Sequence, residues 1–162
     1  MKKLSLLFLW LILVFNAGAQ FPPISLYDTH NNQFEISDLQ GENLTVVDFW
    51  ATWCKPCLLA IPELVKIQDD FASQGVRIVG VNIDSPRNKS KIKPFASSRS
   101  INYTILLDPD QEMMSELNVI YVPTLIIFDN VGNQVFVHEG FTAGDQVLIR
   151  QEIEKILKYN VQ

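Results

Sequence analysis

The sequence predicts an α/β domain built on a central mixed sheet flanked by helices. Three observations lead there. Two near-continuous apolar runs, Leu44–Ala51 and Val76–Ile83, read as strands covered on both faces, as in a parallel sheet. Between and after such runs, apolar residues recur at helical spacing, and strands alternating with helices imply parallel pairing with helices on the faces. Two turn-rich segments, 29–33 and 129–133, each separate two short β-rich runs and predict hairpins before and after this core.

The 162-residue chain opens with a segment that does not belong to the predicted fold. Lys2 and Lys3 precede the apolar run Leu4–Phe15, and Ala17-Gly18-Ala19 gives a small-residue exit. This is the layout of a cleavable secretory signal over 1–19, leaving one domain over 20–162. The alternative is a retained anchor, for which the run is short of the roughly 20 residues that span a bilayer. The net charge of −5 becomes two units more negative without the two lysines. An acidic chain without a Lys/Arg cluster is a poor nucleic-acid binder.

Taken in order, Ile24–Asp28 is a strand, "THNNQ" a turn and Phe34–Ile36 the returning strand. "SDLQGEN" is a polar connection to Leu44–Ala51, which Asp48 interrupts. Cys57–Ser73 is a helix whose buried stripe is Leu58, Ile61, Leu64, Val65 and Phe71, with Pro62 expected to kink it near Leu58 and Gly75 placed for a left-handed cap. After Val76–Ile83 come a loop, a helix over Lys89–Ser98, a strand over Tyr103–Leu107 and a short helix over Gln111–Leu117. Pro123–Phe128 and Gln134–Glu139 form the second hairpin. The last helix, Thr142–Tyr159, opens on a capping box of Thr142 and Asp145 and buries Ile149, Ile153, Ile156 and Leu157.

Cys54 and Cys57 are the only cysteines. As a metal clip they fall short: zinc takes four ligands, and only His30 and His138, distant in sequence, could join them. As a structural staple they close too short a loop to constrain the chain. As a redox pair they are well placed. Cys54 falls at a strand–helix junction and Cys57 in the first helical turn, so i and i+3 share a face. A helix N-terminus offers unpaired N–H groups and partial positive charge, both of which stabilise a thiolate, and Lys55 adds to them. Pro56 lacks an N–H that would go unpaired there in any case.

"VVDFWATWCKPC" followed by Pro62, with "YVPT" before an apolar strand, resembles the thioredoxin family. The secretory signal, the N-terminal β-hairpin and an extra βα insertion before Pro123 are similar to its periplasmic branch of thiol-disulfide oxidoreductases, such as TlpA and ResA. The resemblance implies a thioredoxin fold and a redox-active disulfide in place of any cofactor or metal. It implies Cys54 as nucleophile, Cys57 as resolving cysteine and Asp48 as proton acceptor beneath the pair. It also implies a cis-Pro123 facing the cysteines, with the Val122 backbone pairing with substrate and Trp53, Lys55 and Pro56 shaping the contact surface. Where thioredoxins often place a lysine beside the buried acid, this chain has Gly80. The implied partners are protein disulfide or thiol substrates and a membrane or periplasmic thiol reductant, with the chain a monomer and working as a reductant, for instance in cytochrome c maturation. Two alternatives stand beside this: a peroxiredoxin-like thiol peroxidase with Thr52 near its cysteine, and a non-catalytic module that binds client proteins.

Overall fold

In the computed structural model, residues 21–160 are described; the expected signal segment lies outside them. Seven strands form one sheet: β1 (Ser25–Asp28), β2 (Gln33–Glu35), β3 (Leu44–Trp50), β4 (Val76–Asn82), β5 (Thr104–Leu107), β6 (Thr124–Asp129) and β7 (Gln134–Glu139). The order across the sheet is β2-β1-β5-β4-β3-β6-β7. Strands β3, β4 and β5 run parallel, and the antiparallel hairpins lie at opposite edges. The helices are α1 (Lys55–Phe71), α2 (Lys89–Ser98), α3 (Glu112–Glu116) and α4 (Asp145–Asn160).

Alternation along the strands divides the core into two layers. Val46, Ile78 and Ile127, neighbours across the sheet, pack with Leu64 and Ile67 of α1 and Ile149 and Ile153 of α4. Val47, Val79 and Ile126 point the other way, toward Met113 and Met114 of α3. Every residue of β3 is buried, as a strand covered on both faces requires.

Helix α1 runs continuously through Pro62. An internal proline costs about 3 kcal/mol. Burying Ile61, Leu64 and Ile67 at about 1.5–3 kcal/mol each outweighs that. The helix begins two residues earlier than its apolar spacing predicts, because Cys54 itself is the N-cap: its sulfur accepts the Cys57 N–H at 3.2 Å. Gly75 adopts φ +74° after a short 3-10 turn, as its placement predicts. The connection after β2 is not wholly irregular. Ile36–Leu39 forms a 3-10 turn, and Ile36 and Leu39, three apart, enter the core. At α4 only half of the predicted box forms: the Asp145 carboxylate accepts the Thr142 N–H at 2.7 Å.

Both hairpins turn on the same device. Asp28 accepts the N–H groups of His30 and Asn32 and the Asn32 side-chain amide; Asp129 does the same for Val131 and Asn133. Phe21 docks beside the second turn, donating its N–H to Gly132 and packing its ring on Phe128 at 4.4 Å.

Candidate active site

Strand β3 ends at Trp50, and a tight loop carries the chain into α1. The Cys54 N–H bonds the Ala51 carbonyl at 3.2 Å. Cys54 and Cys57 are joined in a disulfide with Cα atoms 5.3 Å apart. Cys57 is fully buried and Cys54 nearly so, while Trp53 is 62% exposed and Lys55 and Pro56 reach solvent. The pair is thus a buried bond under a rim that includes one large exposed aromatic.

The Val122–Pro123 peptide bond is cis. Phe49 of β3 is opposite Thr124 of β6, so Pro123 lies level with Trp50, at the end of the sheet from which the cysteine loop emerges. Val122 packs against the cluster that contains Cys54 and Cys57. Ile120 and Tyr121, just before it, are exposed. Cysteines, Trp53 and the Val122–Pro123 segment therefore gather at one end of the molecule.

Asp48 lies on the face covered by α1 and α4, 1% exposed, beside Gly80 of β4 and Leu125 of β6. Burial raises its carboxyl pKa to about 7. Its Oδ2 has no hydrogen-bond partner in the protein. The bare backbone of Gly80 admits two aromatic rings: a Cβ there would meet Trp50 Nε1 at 3.0 Å and Tyr103 Cε2 at 3.1 Å. Trp50 also stacks on Phe95 of α2, with ring centroids 5.5 Å apart, as a packing residue would. Burial, and then the nearby Asp48 charge, push the Tyr103 phenol well above its usual pKa.

Glu63, which follows Pro62 in α1, pairs with Lys66 at 2.8 Å on the helix surface. The two histidines raised as metal ligands lie apart from the cysteines. His30 lies near Asp28 and His138 near Asp145. Among the described residues, no three His, Cys, Asp or Glu side chains gather as a metal site, and no helix is long and apolar enough to cross a membrane. Sequence reasoning missed Asp84, a buried carboxylate just beyond β4 that binds the cysteine loop through Thr52. The available signal was the polar pair Asn82 and Asp84 closing an apolar strand.

Comparison with known proteins places the chain. The model of the AhpC/TSA family matches residues 17–135. The thiol-disulfide oxidoreductase ResA of Bacillus subtilis is 33% identical over 123 residues, covering 76% of this chain and 67% of that protein. The thioredoxin-like protein YneN of the same organism is 32% identical over 124 residues, covering 76% and 71%. A thioredoxin-like protein from Porphyromonas gingivalis superposes with a TM-score of 0.74 at 30% identity, covering 88% of this chain and 95% of the other. A Chlorobium tepidum protein proposed to be the thiol:disulfide interchange protein DsbE gives 0.79 at 26% identity, covering 86% and 96%. With a cysteine pair at the start of α1 and these relatives, the chain belongs to the AhpC/TSA family of thioredoxin-like proteins and is a thiol-disulfide oxidoreductase.

Proposed function

We propose that this oxidoreductase works outside the cytoplasm as a reductant of protein disulfides, with Cys54 as nucleophile and Cys57 as resolving cysteine. The carrying observation is the Cys54–Cys57 bond across the first turn of α1, with Cys54 as N-cap. In the dithiol form, the Cys54 thiolate attacks one sulfur of a substrate disulfide. A mixed disulfide forms and the other substrate sulfur leaves as a thiolate, which takes a proton. Cys57 then gives its proton to Asp48 and attacks the Cys54 sulfur. The second substrate sulfur leaves as a thiolate that takes a proton, and the Cys54–Cys57 disulfide is restored. A separate thiol reductant returns the pair to the dithiol.

Direction is supported by Asp48. A buried carboxylate without a cationic partner disfavours thiolates above it, which favours the disulfide form and a low potential. Substrate contact is assigned to Trp53, Lys55, Pro56 and the Val122–Pro123 backbone, which would pair with an extended client segment as an added strand. Main-chain pairing of that kind suits proteins of varied sequence, with apocytochrome c as one client class. The leader-like residues 1–19 support export, with 20–162 acting as one monomeric domain. Against the peroxidase alternative stands the engagement of the Thr52 hydroxyl, whose proton is donated to Asp84 at 2.9 Å.

The test is insulin reduction by the dithiol form, with the potential measured against glutathione. Reduction abolished by Cys54→Ser, and client proteins trapped on Cys57→Ala, are the expected results. A dithiol unable to reduce insulin, or a potential near the roughly −120 mV of strong oxidants, would overturn the reading.

A further inference from the structure

Among the described residues, four buried polar side-chain atoms lack a hydrogen-bond partner in the protein; His138 Nε2 lies near the Asp145 carboxylate, and the other three, Asp48 Oδ2, Trp50 Nε1 and Tyr103 Oη, belong to side chains grouped around Gly80. Folded proteins rarely leave one such atom unpaired, still less three together. Register places Asp48 directly beside Gly80. Both aromatic rings press on that glycine, at 3.0 and 3.1 Å from where a Cβ would be. Two of the three atoms are obligate or effective donors. The indole has only an N–H to give, and the phenol keeps its proton because its pKa is raised. The third is the acceptor.

Resting on the assignment of Asp48 as proton acceptor, we infer that Trp50 and Tyr103, closed down over Gly80, are positioning residues for Asp48. Bridged by buried water, their N–H and O–H support its carboxylate and set how readily it takes the Cys57 proton. Water makes about three bonds in such sites, matching two donors and one acceptor. The arrangement supplies neutral donors where no cation is packed. On neighbouring elements lie His138, opposite Leu125 and 3.3 Å from the Asp145 carboxylate, and Cys57 of α1, held in the disulfide and packed in the cluster that also contains Trp50. The ion pairs Glu63–Lys66 and Asp70–Arg150 of α1 and α4 reach solvent, as do the lysines of α2.

The test is the titration of the Asp48 carboxyl, followed by NMR in the oxidised protein. Tyr103→Phe keeps the ring and removes one donor; it should raise the Asp48 midpoint by about one unit, a tenfold gain in proton affinity. Gly80→Ala, which pushes both rings away, should move it the same way. In the unaltered protein the Trp50 indole N–H resonance should shift with the Asp48 midpoint, a readout that depends on no variant folding. A merely structural Tyr103 would alter stability and leave the midpoint in place. An unmoved midpoint in a folded Tyr103→Phe protein, or an indole resonance indifferent to Asp48, overturns the cluster. The assignment beneath it fails separately: Asp48→Asn would then leave the pH profile of disulfide exchange unchanged, whatever Tyr103 does to the titration.

Discussion

Asp84 clasps Thr52 at two points across 32 residues of sequence, one carboxylate oxygen taking the backbone N–H and the other the hydroxyl, each at 2.9 Å. The Asn82 amide holds the same carboxylate at 2.9 Å. Thr52 sits two residues before Cys54, so this clasp ties the cysteine loop to the end of β4. Asp84→Ala leaves buried donors unpaired and should cost about 2–4 kcal/mol in urea unfolding. The freed loop should also slow insulin reduction, whereas Thr52→Val, which loses only the hydroxyl bond, should lose about 1 kcal/mol.

The raised Asp48 pKa sets a pH-dependent stability with a definite sign. In the unfolded chain the carboxyl ionises near 3.8, in the folded protein near 7. Between those values the folded state holds a proton that the unfolded state has lost, so stability falls as pH rises through that window. Asp48→Asn removes the penalty. Oxidised Asp48→Asn protein should exceed the parent by roughly 3–4 kcal/mol at pH 8 and match it below pH 4, as read from urea unfolding across pH.

Trp53 packs little and presents much. Trp53→Ala should leave unfolding free energy within about 0.5 kcal/mol of the parent. Its effect should appear in contact with large clients, with a roughly tenfold rise in KM for a protein disulfide, equivalent to about 1.4 kcal/mol of contact. The rate with a small aliphatic disulfide should stay unchanged. Equal losses on both substrates would remove Trp53 from the client surface.

Gly75 is a backbone requirement. At φ +74°, a Cβ would meet the Asn43 side-chain nitrogen at 2.8 Å and Glu42 Cβ at 3.0 Å. Gly75→Ala should therefore destabilise by about 1–3 kcal/mol in thermal or urea unfolding, without altering the redox potential.

What the sequence revealed and what it hid divide along a physical line. Among the described residues, local period and turn chemistry placed every strand and α-helix, and matched Lys89–Ser98 and Gln134–Glu139 at both ends. The start of α1 was misplaced because Cys54, outside the usual set of N-capping residues, serves as the cap. The Ile36–Leu39 turn was missed because only two of its residues are apolar. The cysteine pair announced itself by spacing. Asp84 on Thr52 and Tyr103 beside Asp48 did not, since each joins residues separated by at least one helix and depends on register across the sheet. The cis bond at Pro123 was expected from resemblance and is present.

Phe21 donates its N–H to Gly132 in the turn between β6 and β7. That turn follows Asp129, which is opposite Leu44 at the beginning of β3, whereas Cys54 follows the other end of that strand. Seven residues at about 3.3 Å each separate the two ends by roughly 20 Å. Phe21 therefore sits at the pole opposite the reactive sulfurs. A tether, tag or immobilising surface joined there would hold the protein by its base with the thiol-bearing pole turned outward, free to meet large clients.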